Sequence, residues 1–404
     1  MEKSLKHDES RPAAFVTYGW CRTAYTVVRS LGARGIPVHV GDSSALAMSR
    51  YSKYCRSFTK LPDFFSRPEA YVERLVEAME KTGATVLFPC HEDVEVVIRY
   101  REKFPETIRF AVPAFDDWRR AEDKLLYTKP VREAGCPVPE THEVDSKEAL
   151  ETLVGQLTFP VVLKTRIGNS AKGVEIIRKR EQLEPAFFKL VREYNLPEDR
   201  WPTVQEFVAG NKIGVLGVYA HGRHVSSIVF DIVRSKGASN FGTSTYRVTI
   251  DDSETRGNAI KAMEALHWHG VVDMDWLRDE NGTARLIDIN GRLGGATALT
   301  YISGMDLPWV WYQIAVGEEA LEVPAPRVGA KARWILGDLL GMADALRKGR
   351  FREVGRVLTP SRGCRHDDWV WTDPLPFLFQ WLDYGAKFFR AGGNMNPVGE
   401  GMIR

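Results

Sequence analysis

The stretch "MDWLRDENGTARLIDINGRLGG" (274–295) places two apolar-rich runs on either side of Asn281-Gly282. An Asn-Gly pair between such runs is the strongest local signal for a β-hairpin with a two-residue turn. With that turn, Asp275 lies directly opposite Asp288 on the neighbouring strand. A longer turn would shift the pairing slightly but would keep both carboxylates close. The sequence therefore predicts a hairpin that brings two acidic side chains together.

A polar face continues along this hairpin, because Asp273 is expected to face Asn290. Two carboxylates placed opposite each other repel unless a cation lies between them. Mg²⁺ takes carboxylate and amide oxygens, so Asp275, Asp288 and Asn290 are the expected metal ligands. Arg292 follows, where its guanidinium can hold a phosphate or a developing anion. The alternative is a solvated strand face without a ligand.

Bulk composition limits the function classes. A chain of 404 residues predicts two to three domains, and 44% hydrophobic residues provide a globular core. A net charge of +2 gives no reason to expect a nucleic-acid partner. The five scattered cysteines lack C-x-x-C spacing, and residues 1–12 lack an apolar signal region. These features favour a cytoplasmic protein without disulfides or structural zinc.

Residues 1–115 alternate between strand and helix patterns, which is typical of a Rossmann-like parallel sheet. Strands are predicted at 13–20, 36–42, 85–90 and 108–113, and helices at 23–35 and 68–82. The loop "TYGWCR" after the first strand lacks G-x-G-x-x-G, which argues against a dinucleotide site. His91 and Glu92 follow a strand end, where they either contact a substrate or begin a helix.

Two lysines and a loop precede the hairpin. Lys164 ends the apolar run "FPVVLK", where a buried ammonium group needs an anionic partner. The following loop contains Gly168, Ser170 and Gly173, whose backbone N–H groups can cover a phosphate. Lys124 begins a helix predicted at 116–135. Taken singly, these residues are equally compatible with surface lysines and an ordinary turn.

The order of these features resembles the ATP-grasp superfamily. The most specific segments are "FPVVLKTRIGNSAKGVEII" (159–177), "VQEFVAG" (204–210) and the opening stretch. The resemblance extends over about residues 13–325. The segment 29–63 is similar to that of carbamoyl-phosphate-synthase-like carboxylate–amine ligases from bacterial biosynthetic clusters.

The resemblance implies a fold of mixed α/β and α+β class. A Rossmann-like preATP-grasp domain is expected at 1–115 and an ATP-grasp domain at 116–325. The latter divides into a small lobe at about 125–205 and a large lobe at about 206–325. Residues 212–233 are expected to form a further hairpin around His221-Gly222.

The resemblance also assigns roles to individual residues. The implied cofactors are ATP and two Mg²⁺ ions, with Mn²⁺ as the alternative metal. The implied nucleotide contacts are Lys124 and Lys164 to the phosphates, Gly168, Ser170 and Gly173 as their cover, and Glu206, Phe207 and Val208 around adenine. Asp275, Asp288 and Asn290 correspond to metal ligands, Arg292 to the arginine beside the transferred phosphate, and Arg247 to a candidate partner of a substrate carboxylate.

The implied reaction converts a substrate carboxylate to an acyl phosphate, which an amine then attacks, so the expected partners are two small molecules. A small-molecule kinase and a non-catalytic nucleotide-binding module are the alternatives. Three features depart from the common pattern: Gly291 stands where Pro is frequent, both metal carboxylates are Asp rather than Glu, and Lys212 stands where many members carry an acid for the ribose. We therefore assign no ribose contact.

Residues 326–404 lie outside the expected grasp. They are rich in tryptophan, and 331–365 carries nine Lys/Arg against three Asp/Glu. A helical appendage that packs on the core or pairs with a second copy is the favoured interpretation. A surface that meets a membrane or a lipid substrate is the less favoured one.

Overall fold

A computed structural model of the protein describes residues 11–168, 173–236, 242–318, 321–359, 362–390 and 392. An N-terminal α/β unit forms its first layer. Its elements are β1 (Ala13–Val16), α1 (Arg22–Gly32), β2 (Val38–Asp42), β3 (Cys55–Lys60), α2 (Pro68–Thr82), β4 (Ala84–Phe88) and α3 (Val94–Arg99). The strands form a parallel sheet in the order β3-β2-β1-β4. This order opens a crevice between the carboxyl ends of β1 and β4. The predicted Rossmann-like unit is confirmed.

The prediction of a strand at 108–113 is wrong. This segment makes a single parallel bridge, between Val86 and Arg109. Beyond it, the carbonyl of Ala111 accepts a hydrogen bond of 2.7 Å from the indole of Trp311. Apart from this one bridge at the edge of β4, the apolar run packs against a later part of the chain and does not form a strand.

The single helix predicted at 116–135 is divided by Asp123 into α4 (Phe115–Glu122) and α5 (Lys124–Glu133). Asp123 has extended backbone, and its carboxylate accepts the N–H of Leu125 at 2.9 Å as a helix cap. The same carboxylate pairs with Arg166 at 2.7 Å. The break makes Lys124 the first residue of α5.

A small antiparallel lobe follows, with its own core. It contains β5 (Thr141–His142), α6 (Lys147–Gln156), β6 (Val161–Lys164), β7 (Val174–Ile177), α7 (Leu183–Glu193) and β8 (Thr203–Glu206). The strand order is β5-β8-β6-β7. Its buried apolar cluster includes Leu163 and Phe187 and is separate from the main core. Lys164 is thus carried by a well-packed strand.

The large lobe is built on a long antiparallel sheet. Its elements are β9 (Asn211–Ala220), β10 (Arg223–Ser235), β11 (Ser244–Ile250), α8 (Ser253–Ala265), β12 (Gly270–Arg278), β13 (Ala284–Asn290), α9 (Thr297–Ser303) and α10 (Leu307–Val316). The predicted hairpin around His221-Gly222 joins β9 to β10, with φ of 50° and 79° at the two turn residues. One continuous apolar core joins this lobe to the N-terminal unit.

The C-terminal region is mostly helical, as expected, but it also adds two strands to this sheet. Its elements are β14 (Lys331–Arg333), α11 (Ile335–Arg347), α12 (Phe351–Leu358), β15 (Cys364–His366) and α13 (Leu375–Arg390). The full order is β13-β12-β9-β10-β11-β14-β15. We propose to retain the divisions 1–115, 116–325 and 326–404, with the last segment completing the large-lobe sheet.

A buried ion cluster attaches the C-terminal region to both other layers. Asp367, after β15, pairs with Arg22 of α1 at 3.2 Å and with Arg247 of β11. The side chains of Arg247 and Asp367 have no exposed surface. Charges removed from water in this way are stable only while each keeps its partner.

Within the described residues, no helix is long and apolar enough to span a bilayer.

We expect Asp367→Ala to lower the free energy of unfolding by about 3–5 kcal/mol, because it leaves two buried guanidinium groups without their carboxylate. Denaturant unfolding measures the loss. Arg365→Ala, two residues earlier and exposed, is the control and should change stability by less than about 0.5 kcal/mol. Equal stability of the two variants would contradict the role given to Asp367.

Candidate active site

The hairpin formed by β12 and β13 pairs Asp275 with Asp288, as the sequence predicts, but through a different turn. Asp279 and Thr283 close a three-residue loop, and Gly282 has a φ of 86°. This longer loop shifts the neighbouring pairs by one residue. An extra residue, Ile287, then bulges between the partners of Trp276 and Asp275 and restores the predicted register.

The bulge and the carboxylates receive lysines from two directions. Nζ of Lys164 donates to the carbonyl of Ile287 at 3.3 Å. Nζ of Lys124 lies 2.9 Å from the carboxylate of Asp288, and Nζ of Lys212 lies 2.8 Å from that of Asp275. The repulsion between the two carboxylates is therefore balanced by ammonium groups in this structure. The acid pair alone does not require a metal.

The pKa values of two of these lysines shift in opposite directions. Burial lowers the pKa of Lys164 to about 8, and the nearby charge of Asp288 opposes this shift. For Lys212, burial favours the neutral form, but Asp275, Asp273 and Asp288 together outweigh this effect and raise the pKa. Lys164 is thus the cation of the site whose charge is most sensitive to a ligand.

The phosphate-cover loop is described only at its two ends. The carbonyl of Gly168 accepts a hydrogen bond of 3.4 Å from Nζ of Lys124. At the other end, the carbonyl of Gly173 accepts one of 2.9 Å from the N–H of Thr165. Ser170 lies outside the described residues. The contacts given to Gly168, Ser170 and Gly173 stay predictions.

The segment after β8 faces the hairpin. Val208 is buried with Leu277 and Ile287 in a small apolar cluster apart from the main cores. Glu206 is exposed and pairs with Arg285 at 3.3 Å, while the intervening Phe207 is half-buried. An apolar cluster beside the lysines offers a surface on which a flat ring can pack. The adenine contacts expected of Glu206, Phe207 and Val208 stay predictions.

Asn290 and Arg292 lie at the end of β13 and connect the hairpin to the N-terminal unit. Oδ1 of Asn290 accepts a hydrogen bond of 3.2 Å from Arg292, whose Nε lies 2.9 Å from Glu92. Glu92 follows β4, at the crevice of the parallel sheet. The N–H of Gly291 donates to Glu122 at 2.5 Å. Burial raises the pKa of Glu122 to about 7, and this N–H opposes the shift.

Arg247 has a different environment from the expected one. It is fully buried, pairs with Asp367 and donates to the carbonyl of Gly295. Its carboxylate partner thus belongs to the chain itself. Because Gly295 lies three residues after Arg292, Arg247 fixes the backbone that follows the site.

Two neighbours of the site were not assigned a role from the sequence. The sequence marks Lys212 only as a departure from the pattern of the resembled family, because no local sequence pattern shows that its side chain reaches Asp275. Asp273 faces Asn290, and a Cβ at position 294 would collide with its carboxylate, so Gly294 is required there. Burial and repulsion from Asp275 raise the pKa of Asp273 to about 7. The Gly-Gly pair 294–295 was the available signal for such close packing.

The site's oxygen donors form no complete metal cage by themselves. Within the described ranges, no cluster of three or more His, Cys, Asp or Glu side chains is arranged to hold a metal. Asp275 and Asp288 are 23% and 22% exposed, which leaves room for further oxygen ligands from outside the protein.

Comparison with known proteins shows which families and structures this chain is similar to. Residues 203–337 match a family model described as "ATP-grasp in the biosynthetic pathway with Ter operon". The chain is 27% identical to a D-alanine–D-alanine ligase of Bacillus licheniformis, over 44% of this chain and 48% of the ligase. The chain therefore spans about half the length of the curated relatives it matches.

Solved structures have the same fold. The biotin carboxylase domain of Hydrogenobacter thermophilus 2-oxoglutarate carboxylase, a dimer with MgADP, ADP and bicarbonate, superposes with a TM-score of 0.65 at 18% identity and covers 79% of this chain and 73% of its own. An L-amino acid ligase of Bacillus licheniformis gives a TM-score of 0.58 at 18% identity, over 76% and 75%. The chain has the fold of these structures, and its residues 203–337 are similar to the ATP-grasp family of the matching model.

Proposed function

We propose that this protein is an ATP- and Mg²⁺-dependent ligase that joins a carboxylate to an amine and releases ADP and phosphate. One feature of the geometry carries the proposal: the opposed Asp275 and Asp288, each in contact with a lysine from another strand or helix. A polyanion with divalent cations can replace these contacts with equivalent ones. The likeness to ligases of the same superfamily supports this function.

The lysines are suited to hold phosphates. Lys124 and Lys164 are both buried, and they reach the hairpin from α5 and from β6 of the small lobe. Two ammonium groups held close together favour a ligand with several negative charges. Gly168, beside Lys124, begins the loop expected to cover that ligand. The cluster of Val208, Leu277 and Ile287 would support the base of the nucleotide.

The donor set fits a hard divalent cation. Asp275 and Asp288 supply carboxylate oxygens, and Asn290 supplies an amide oxygen on the same strand face. A bound Mg²⁺ would neutralise charge on the transferred phosphoryl group and orient it for in-line transfer. The exposed portions of both carboxylates leave room for phosphate oxygens.

Arg292 is positioned to stabilise charge on the reacting groups. Its guanidinium is fixed by Glu92 on one side and Asn290 on the other, so it needs little reorganisation. In the proposed reaction, the substrate carboxylate attacks the γ-phosphate of ATP, and the ADP–phosphate bond breaks. The amine then attacks the acyl carbon and phosphate leaves. Arg247 is a positioning residue, because it holds Gly295 and not a solvent-facing group.

Product analysis tests the reaction class. The full-length protein is incubated with ATP, Mg²⁺ and pools of carboxylic acids and amines, supplied separately and together. A ligase releases ADP and free phosphate only when both pools are present. ADP without free phosphate would indicate a kinase, and AMP with pyrophosphate would contradict the proposal.

We expect Asp288→Asn to reduce ADP formation by at least about 100-fold, because it removes a metal carboxylate. The amide oxygen still accepts a hydrogen bond from Lys124, so circular dichroism and the unfolding midpoint should stay close to those of the parent protein. Glu280→Gln, in the exposed turn of the same hairpin, is the matched control and should keep full activity. Full activity of the Asp288 variant would exclude the assignment.

The affinity for ADP should fall as pH rises through about 8. In the free protein the pKa of Lys164 is about 8, and an anionic ligand binds better to its charged form. Linkage then predicts up to about a tenfold loss of affinity per pH unit above that value, and a plateau below it. Calorimetric titration with ADP over this range measures the effect. Lys164→Met should bind weakly at every pH, and an unchanged pH dependence in this variant would show that another group is responsible.

A further inference from the structure

Helix α13 packs on the protein with its polar side. Gln380 and Asp383 are buried on that side. Asp383 accepts a hydrogen bond of 2.6 Å from Ser44 and pairs with Lys387 at 2.7 Å. Lys387 in turn lies 4.2 Å from the ring centre of Trp20. Ionic and cation–π contacts therefore attach this side of the helix, together with aromatic contacts of Phe377 with Trp369 and of Phe379 with Tyr51.

The opposite side of α13 is an exposed apolar stripe. Leu375, Leu378, Leu382 and Phe389 are 51%, 52%, 49% and 80% exposed. Their spacing of three, four and seven residues places them on one face of the helix. A helix that buries Gln380 and Asp383 while four large apolar side chains stay exposed differs from an ordinary surface helix, whose exposed face is polar. This orientation calls for an apolar or interfacial environment outside the described chain.

Helix α12 has the same character. Phe351 and Leu358, seven residues apart and therefore on one face, are 71% and 66% exposed. Arg352 and Arg356 are exposed beside them. Trp371, in the connection before α13, is 84% exposed. Aromatic and basic residues in this combination are typical of helices that lie in a membrane interface.

The two helices belong to one region of the surface. Lys236 lies 5.9 Å from the ring centre of Tyr384 on α13. Asp344 of α11, the helix that packs on α12, is also close enough to Lys236 to act on its charge. We call the exposed apolar and basic residues of 346–390 the basic–apolar surface.

The charges of this region are sorted by burial. Between 331 and 390, the structure describes seven acidic residues, and none of their side chains is more than 36% exposed. Five are buried, and Asp344 and Glu353 both pair with Arg350. The exposed basic residues are Arg347, Lys348, Arg352, Arg356, Arg362, Arg365 and Arg390. Among its described residues, the basic–apolar surface therefore presents mainly positive charge and apolar side chains, since the partly exposed Asp344 and Glu353 are both paired with Arg350.

We propose that the basic–apolar surface docks on an anionic membrane surface, with α12 and α13 lying in the headgroup region. Charge complementarity selects this occupant. The exposed arginines and lysines are attracted to anionic headgroups, while Phe351, Trp371 and Phe389 enter the boundary of the acyl region. A second copy related by a twofold axis would instead bring two surfaces of the same charge together. The inference does not depend on the proposed ligase activity.

Vesicle co-sedimentation of the full-length protein tests the proposal. We expect binding to phosphatidylcholine vesicles with about 30% phosphatidylserine, and at least tenfold weaker binding to phosphatidylcholine alone. Binding should weaken when salt is raised from about 0.1 M to about 0.5 M, because headgroup attraction is screened. Equal recovery with both vesicle types, or no binding to either, would overturn the proposal.

Two pairs of variants separate the contributions. Arg352→Glu with Arg356→Glu should reduce vesicle binding by at least about tenfold, since each basic residue near the surface contributes about fivefold. Lys81→Glu with Arg192→Glu makes the same change in net charge at exposed positions elsewhere, and should leave binding within about twofold. If both pairs lose binding equally, the attraction depends on net charge and not on this surface.

The apolar component has its own pair. Leu378→Ser with Leu382→Ser should reduce vesicle binding at least about fivefold, because two exposed leucines no longer enter the interface. Val328→Ser, also exposed but outside the surface, is the control. Sedimentation equilibrium without vesicles is measured in parallel. A dimer that dissociates in the leucine variant, together with no vesicle binding by the parent protein, would show that a second copy covers this surface.

Discussion

The opposition of Asp275 and Asp288 across β12 and β13 is the constraint on which the site depends. Two carboxylates at this distance require cations, and the structure supplies Lys124, from α5, and Lys212, from β9. Each lysine belongs to a different structural unit. The charges of one strand pair therefore bring α5 and the large-lobe sheet to the same point. Beside it, the carbonyl of Ile287 at the bulge accepts a hydrogen bond from Lys164 of the small lobe.

A second ionic cluster supports this site from behind. Asp367 joins Arg22 of the N-terminal unit to Arg247 of the large lobe, and Arg247 holds the backbone that follows Arg292. The C-terminal region is thus part of the framework of the site. Its buried acids are held by ion pairs or hydrogen bonds inside the protein, and its exposed residues are mainly basic and apolar.

Local patterns predicted the fold well. The Rossmann-like unit, the hairpin at His221-Gly222 and the Asp275–Asp288 pairing follow from strand periodicity and turn residues. Long-range contacts decided what those patterns missed. The turn is longer than Asn281-Gly282 implies, and a bulge compensates for it. In the run 108–113, the carbonyl of Ala111 accepts a hydrogen bond from Trp311. The partners of Lys212 and Arg247 lie on elements distant in the sequence. Side-chain pairing across a fold leaves no signal in local sequence.

A crystal structure with Mg²⁺ and a non-hydrolysable ATP analogue tests the central claim most directly: the hairpin carboxylates exchange lysine partners for metal when nucleotide binds. The account predicts metal density on Asp275, Asp288 and Asn290, with Lys124 and Lys164 turned to phosphate oxygens. Nucleotide bound elsewhere, or bound with both lysines still on their present partners and no metal on the hairpin, would contradict it.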